Sequence, residues 1–159
     1  MGIGYPEDLL VSIALGADMF DCVWPTRTAR FGNAITPTGV LNLRHSTFAR
    51  DYQPIDSTCM CPCCLPGKNE GGLEISRAFI YHTANKETVG AHLLTMHNVH
   101  FLLNLMTLAR NAIIEGRYPS FVREWLGKYF GVDAHGPSRW PGWLIEALRT
   151  VGVDLLARG

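Results

Sequence analysis

The densest chemistry in the chain is a run of four cysteines, Cys59, Cys61, Cys63 and Cys64, inside six positions. Three thiolates on so tight a turn, joined by one imidazole, satisfy a tetrahedral zinc ion. Residue types alone leave two sulfur sets open, Cys59, Cys61 and Cys63 or Cys59, Cys61 and Cys64. They also leave the imidazole open among His82, His92, His97 and His100, since a lone histidine on a helix is more often structural than a ligand. A redox or disulfide cluster is the competing reading, and thiol reactivity suppressed by zinc and revealed by chelation separates the two.

A second stretch, Asp18–Arg30, carries a carboxylate and two guanidiniums. Its first half, Asp18–Trp24, is short, apolar and closed by Pro25, which predicts a buried strand. On a strand Met19, Asp21 and Val23 share one face, and Phe20, Cys22 and Trp24 share the other. Asp21 then stands among apolar neighbours near the strand's C-terminal end, with Arg27 and Arg30 in the polar loop that follows. An acid at a strand end beside a cationic loop is how α/β enzymes present catalytic groups to an anionic substrate. The plainer reading is an acid that caps a loop or pairs with Arg27, and two solvated surface arginines. Asp18 sits at the strand's start and faces elsewhere. Cys22, opposite Asp21, reads as a small buried hydrophobe.

The elements that must position these groups are mostly helical. Pro6–Leu15 reads as a helix with proline near its start, acids in its first turn and Gly16 as its stop. With the strand after it, this is the α-β half of a β-α-β unit, preceded only by the stub Met1–Gly4. A single buried strand cannot satisfy its own backbone, so the expectation is the tail of a larger α/β domain. Ala34–Thr36 and Val40–Leu43 read as a hairpin about Pro37-Thr38-Gly39. A short helix is expected within His45–Tyr52, then the cysteine knuckle, then a glycine-rich loop at Gly67–Gly72. Further helices are expected at about Glu74–Ala84, Lys86–Gly116, Pro119–Phe130 and Pro141–Val151, with a Gly/Pro-rich linker at Gly131–Pro141.

At 159 residues and 47% hydrophobic composition the chain is long enough for a real core. Its formal net charge of zero supplies no global field for nucleic acid, so RNA contacts would come from local arginines, and DNA is not expected as a partner. No stretch approaches the roughly 20 apolar residues of a membrane span. A basic region and apolar signal core are missing from the N-terminus, and the clustered cysteines are not a secreted disulfide framework. An intracellular, reducing setting is expected.

The run DMFDCVWPTRTARFGNA resembles the active-site segment of tRNA-guanine transglycosylases, which exchange the wobble guanine of certain tRNAs. The cysteine knuckle together with Thr95-Met96-His97-Asn98 is similar to that family's C-x-C-x2-C…H zinc site. The resemblance covers nearly the whole chain and weakens after about Gly131. It selects Cys59, Cys61, Cys64 and His97 as the ligands of one structural zinc ion. It makes Asp21 the nucleophile, attacking the anomeric carbon of the target guanosine to give a covalent RNA–enzyme ester, as suits a carboxylate beside an oxocarbenium-like state. It implies that Thr26, Arg27, Thr28, Ala29 and Arg30 contact the anticodon loop, whose unstacked bases arginine can read. Gly2, Ile3, Gly4, Tyr5, Pro6, Glu7 and Asp8 resemble the RNA-touching loop after the seventh strand. A plain strand-to-helix turn is the alternative for that segment.

The implied fold is the C-terminal part of a (β/α)8 barrel with an inserted zinc-binding subdomain and a helical C-terminus. The expected division is 1–50 for the end of the barrel, 51–117 for the zinc subdomain and long helix, and 118–159 for the C-terminal helices. The wording resembles the eukaryotic branch, which incorporates queuine and pairs a catalytic subunit with a related non-catalytic one. That implies a cytoplasmic heterodimer, with association to mitochondria left open. The isolated 159 residues are expected to be inactive fragments that associate through exposed barrel edges. The competing function is a zinc-stabilised RNA-binding or accessory module without chemistry, which would be expected to lose Asp21.

Overall fold

A computed structural model describes residues 1–65, 75–131 and 140–155. The element order is α1 (Pro6–Ala14), α2 (Trp24–Arg30), β1 (Asn33–Thr36), β2 (Gly39–Asn42), a 3-10 turn at Ser46–Phe48, α3 (Arg77–Ala84), α4 (Thr88–Ile114), α5 (Tyr118–Phe130) and α6 (Gly142–Thr150). Among the described residues no helix is long and apolar enough to cross a membrane. The chain divides into two compact units.

One unit comprises Met1–Cys22, Pro37–Gly39 and Leu105–Gly159. Its core uses helical spacing throughout: Leu9 and Leu10 of α1, Leu105, Ala109 and Ala112 of α4, Val122 and Leu126 of α5, and Leu144 and Leu148 of α6 are buried. Proline at the start of α1 and α5 presets the first turn where no N–H is needed. Gly131, at φ 60°, closes α5 in the left-handed conformation that favours glycine. The Tyr118 hydroxyl donates to Leu10 C=O at 2.8 Å, and Arg123 donates to Asp154 C=O at 2.7 Å.

Met1–Gly4 and the segment after α1 lie side by side in this unit, joined by Gly2 N–H donating to Asp21 C=O at 2.7 Å. The β-α-β arrangement read from the sequence is not formed among the described residues, since neither segment is a strand. The strand expected over Asp18–Trp24 is replaced by irregular backbone through Cys22, and Trp24 already begins α2. A strand exists only where its backbone is paired on a ladder, and local apolar text cannot supply the neighbour. Met19 is 90% exposed, so the expected burial of that face is absent as well.

The other unit comprises Val23–Thr36 and Val40–Asn104. Ala29, Ala34, Leu43, Ile55, Ile80, Leu94 and three cysteines form one continuous core. The hairpin falls where expected, as a two-stranded sheet of β1 and β2. Ser76 caps α3, its hydroxyl accepting from Phe79 N–H at 3.1 Å. Gly90 lets α4 lie against the end of α3, because a Cβ there would come within 2.6 Å of Ala84 N. The expected Gly67–Gly72 loop, most of the Gly131–Pro141 linker and the start of a helix at Glu74 lie outside the described residues.

Candidate functional site

The knuckle is shaped before any ligand is considered. Asp56 Oδ1 accepts from both the N–H and the hydroxyl of Thr58 at 2.8 Å, a local turn that delivers Cys59. Cys61 N–H points at Cys59 Sγ at 3.5 Å, and Cys64 and Leu65 N–H both return to Cys61 C=O. Three sulfurs are thereby turned to one side. From α4, 33 residues on, His97 presents Nδ1 to Cys59, Cys61 and Cys64 Sγ at 3.7, 3.5 and 3.3 Å.

All four donor atoms lie within 4.8 Å of one another. Metal–sulfur and metal–nitrogen bonds of about 2.3 and 2.0 Å in a tetrahedron put neighbouring donors roughly 3.5–3.8 Å apart, so the spacing fits one ion. Cys63 is not among them: its thiol donates to Leu93 C=O at 3.3 Å. The choice left open by residue types therefore falls to Cys64. All five cysteines are free thiols.

His97 is fully buried, and its other nitrogen, Nε2, donates to Ile35 C=O at 2.8 Å. A carbonyl only accepts, so Nε2 carries a proton and Nδ1 is the nitrogen left facing the sulfurs. Burial opposes charge on His97, but the Cys59 and Cys61 sulfurs outweigh it and raise its pKa to about 10. The neighbouring sulfurs, Cys59 first, hold the Cys61 thiol far below its ordinary range, while the same crowding pushes Cys63 and Cys64 up. Such a cluster favours a divalent cation in place of its protons.

Among the described residues no other histidine joins this group. His82 Nε2 donates to Ala49 C=O at 3.3 Å, and His92 lines an open cleft of about 340 Å³ with Thr26, Arg30, Thr88, Ala91 and Thr95.

Arg27 and Arg30 stand on a helix, α2, and not in the polar loop expected for them. Pro25 in its first turn is the signal that marked a helix start. Thr28 and Ala29 are buried, Thr26 is half-buried, and the two arginines project outward one turn apart. Asp21 is exposed on the irregular segment, and Asp18 is exposed as well. Of the N-terminal residues, Gly2, Ile3 and Tyr5 are exposed, Gly4 and Pro6 are buried, and Asp8 is half-buried. Glu7 turns toward Tyr129, whose hydroxyl bonds its carboxylate. Asn98, next to His97, carries no role read from the sequence, yet its buried amide makes three hydrogen bonds.

The family model described as queuine tRNA-ribosyltransferase matches residues 1–131. A queuine tRNA-ribosyltransferase catalytic subunit from Schizosaccharomyces pombe is 53% identical over 158 residues, covering 99% of this chain and 38% of that protein. A queuine tRNA-ribosyltransferase from Thermus thermophilus is 41% identical over 153 residues, covering 96% and 36%. A catalytic subunit from Caenorhabditis briggsae is 39% identical over 165 residues, covering 98% and 39%. The chain thus spans under two-fifths of the length of these relatives.

Proposed function

The chain belongs to the queuine tRNA-ribosyltransferase family, and from that premise we propose that it supplies the nucleophile, an RNA-contacting helix and the structural zinc site of a tRNA-guanine transglycosylase. The observation that carries the reading is Asp21 preceding the Arg27/Arg30 helix by a few residues in sequence, in a chain that also gathers three thiols and an imidazole.

In this mechanism the Asp21 carboxylate attacks the ribose anomeric carbon of the wobble guanosine. The glycosidic bond breaks, guanine leaves with the bonding electrons and takes up a proton, and a ribosyl ester remains. Queuine then attacks the same carbon, loses a proton and releases the carboxylate. Arg27 and Arg30, with Thr26, Thr28 and Ala29 shaping their helix, orient the anticodon loop. Gly2–Asp8 supplies further RNA contacts.

Cys59, Cys61, Cys64 and His97 would hold one zinc ion, and four protein donors suit it to fixing structure. The larger setting we propose is a (β/α)8 barrel, divided at about residues 50 and 117, in a cytoplasmic enzyme paired with a related non-catalytic subunit. The described residues carry only a two-stranded sheet, so these 159 residues alone are expected not to exchange bases.

The test is exchange of labelled guanine or queuine into tRNA by the full natural chain and by its Asp21→Asn variant. Loss of exchange and of the covalent RNA adduct in the variant supports the reading. Undiminished exchange by Asp21→Asn removes Asp21 as the nucleophile and overturns the reading, whereas no exchange by the parent chain leaves the accessory-module alternative.

A further inference from the structure

Asn98 is fully buried and directly follows His97 on α4. Its Nδ2 donates to Pro25 C=O at 3.1 Å and to Asn33 C=O at 3.0 Å, and its Oδ1 accepts from Ile35 N–H at 2.9 Å. Both amide hydrogens are used, and the three partners lie 63 to 73 residues away in sequence. Pro25 belongs to the first turn of α2, while Asn33 and Ile35 belong to β1. The next residue back, His97, holds Ile35 from its other side through the carbonyl.

We propose that Asn98 is a positioning residue that ties the metal site to α2, so that a bound ion sets the pose of Arg27 and Arg30. The ligand and the amide are consecutive on one helix, and no displacement of His97 leaves Asn98 in place. Ile35 is gripped at both its N–H and its C=O, so β1 cannot absorb such a displacement by sliding. Asn98 holds β1 at Asn33 and Ile35 and α2 at Pro25, so a displacement passed to Asn98 reaches α2 through the Pro25 carbonyl. Buried amides of this kind are costly to break and define one arrangement. Metal loss then reaches the arginines through two residues and one hydrogen bond.

The RNA consequence rests on the function proposed above, but the mechanical link does not, and the test separates them. Amide hydrogen exchange is followed in the full natural chain, metal-loaded, metal-stripped by chelation, and as metal-loaded Asn98→Ala. In the variant, exchange across residues 26–31 rises about tenfold or more while the metal is retained and α3 stays protected. Metal stripping of the parent deprotects the same segment. Unchanged exchange there in the metal-loaded variant, or unchanged exchange after stripping, overturns the proposal. If Asn98→Ala does not fold, Asn98→Ser takes its place under the same comparison, metal-loaded against the metal-loaded parent. RNA binding by the variant should weaken with unchanged metal content. If instead Arg27→Ala in the parent leaves RNA affinity intact, the RNA reading fails and the link to α2 stands.

Discussion

The carbonyl oxygen of Ile35 accepts a hydrogen bond from His97 Nε2 at 2.8 Å, and this one contact decides which ring nitrogen meets a metal. With Nε2 committed, the tautomer and ring plane of His97 are set before an ion arrives. The cost of ordering that side chain is met by folding, so binding an ion to the group reinforces the fold that built it.

Chelation should therefore remove structure, not merely a ligand. Structural zinc in small domains carries an apparent binding free energy of about 10–16 kcal/mol. On stripping, the unit around the knuckle is expected to lose its cooperative thermal transition, while helices α1, α5 and α6 keep theirs. Because His97 and the thiols must give up protons to bind, affinity for zinc should fall as pH is lowered. Calorimetry and metal titration at several pH values check both statements. Retention of the full transition after stripping would show that the four side chains are packing groups only.

Substitution separates two adjacent cysteines. Cys64→Ser should lose the metal, because Cys64 Sγ lies 3.3 Å from His97 Nδ1. Cys63→Ser should keep it, since the Cys63 thiol spends its hydrogen on Leu93 C=O. The Cys63 variant should cost about 1–2 kcal/mol or less, as a hydroxyl can make the same bond. Metal content by mass spectrometry under native conditions distinguishes them, and the reverse pattern would exchange the two roles.

These outcomes bear on how much of the molecule could be read from its text. The knuckle was legible because Cys59, Cys61 and Cys64 are local, and the same is true of the proline starts of α1 and α5. Choosing Cys64 over Cys63 was not a matter of composition: it took the family spacing, and in space it takes the position of Leu93 on α4. The segment before Trp24 reads as a strand because apolar alternation is local, whereas pairing is not. The Arg27/Arg30 helix was hidden behind a polar sequence whose buried members, Thr28 and Ala29, are small. Asn98 was the least legible, since its meaning lies entirely in partners more than 60 residues distant.

Glu7 gives a prediction on stability. Burial raises its pKa above the ordinary carboxylate value, its own backbone opposes this, and the charge of Asp8 adds to it. One carboxylate oxygen finds no hydrogen-bond partner among the described residues. A folded-state pKa above the unfolded value of about 4.3 means the folded protein holds more protons between the two, so stability falls as pH rises through that window. Glu7→Gln removes the penalty. Allowing for solvent screening of a partly exposed group, its thermal midpoint at pH 7 should rise by roughly 1–3 °C. The gain should vanish below about pH 4. A midpoint that drops at pH 7 would mean that the charge is used favourably.

Arg27 and Arg30 bear on the RNA itself. They project from α2 one turn apart while Thr28 and Ala29 anchor the helix in the core, so replacing them alters the surface and leaves the packing intact. If each neutralises one phosphate, each alanine substitution lowers the slope of log affinity against log salt by about 0.7, the value for single-stranded RNA. Binding to an anticodon stem-loop should weaken across sequences if the contact is to phosphate. It should weaken for the cognate loop alone if the guanidinium reads a base edge. Salt titrations of both variants with cognate and altered loops tell these apart. Unchanged affinity and slope in the double variant would remove α2 from the RNA interface, because no other charge on that helix could take over the contact: Trp24, Pro25, Thr26, Thr28 and Ala29 carry none.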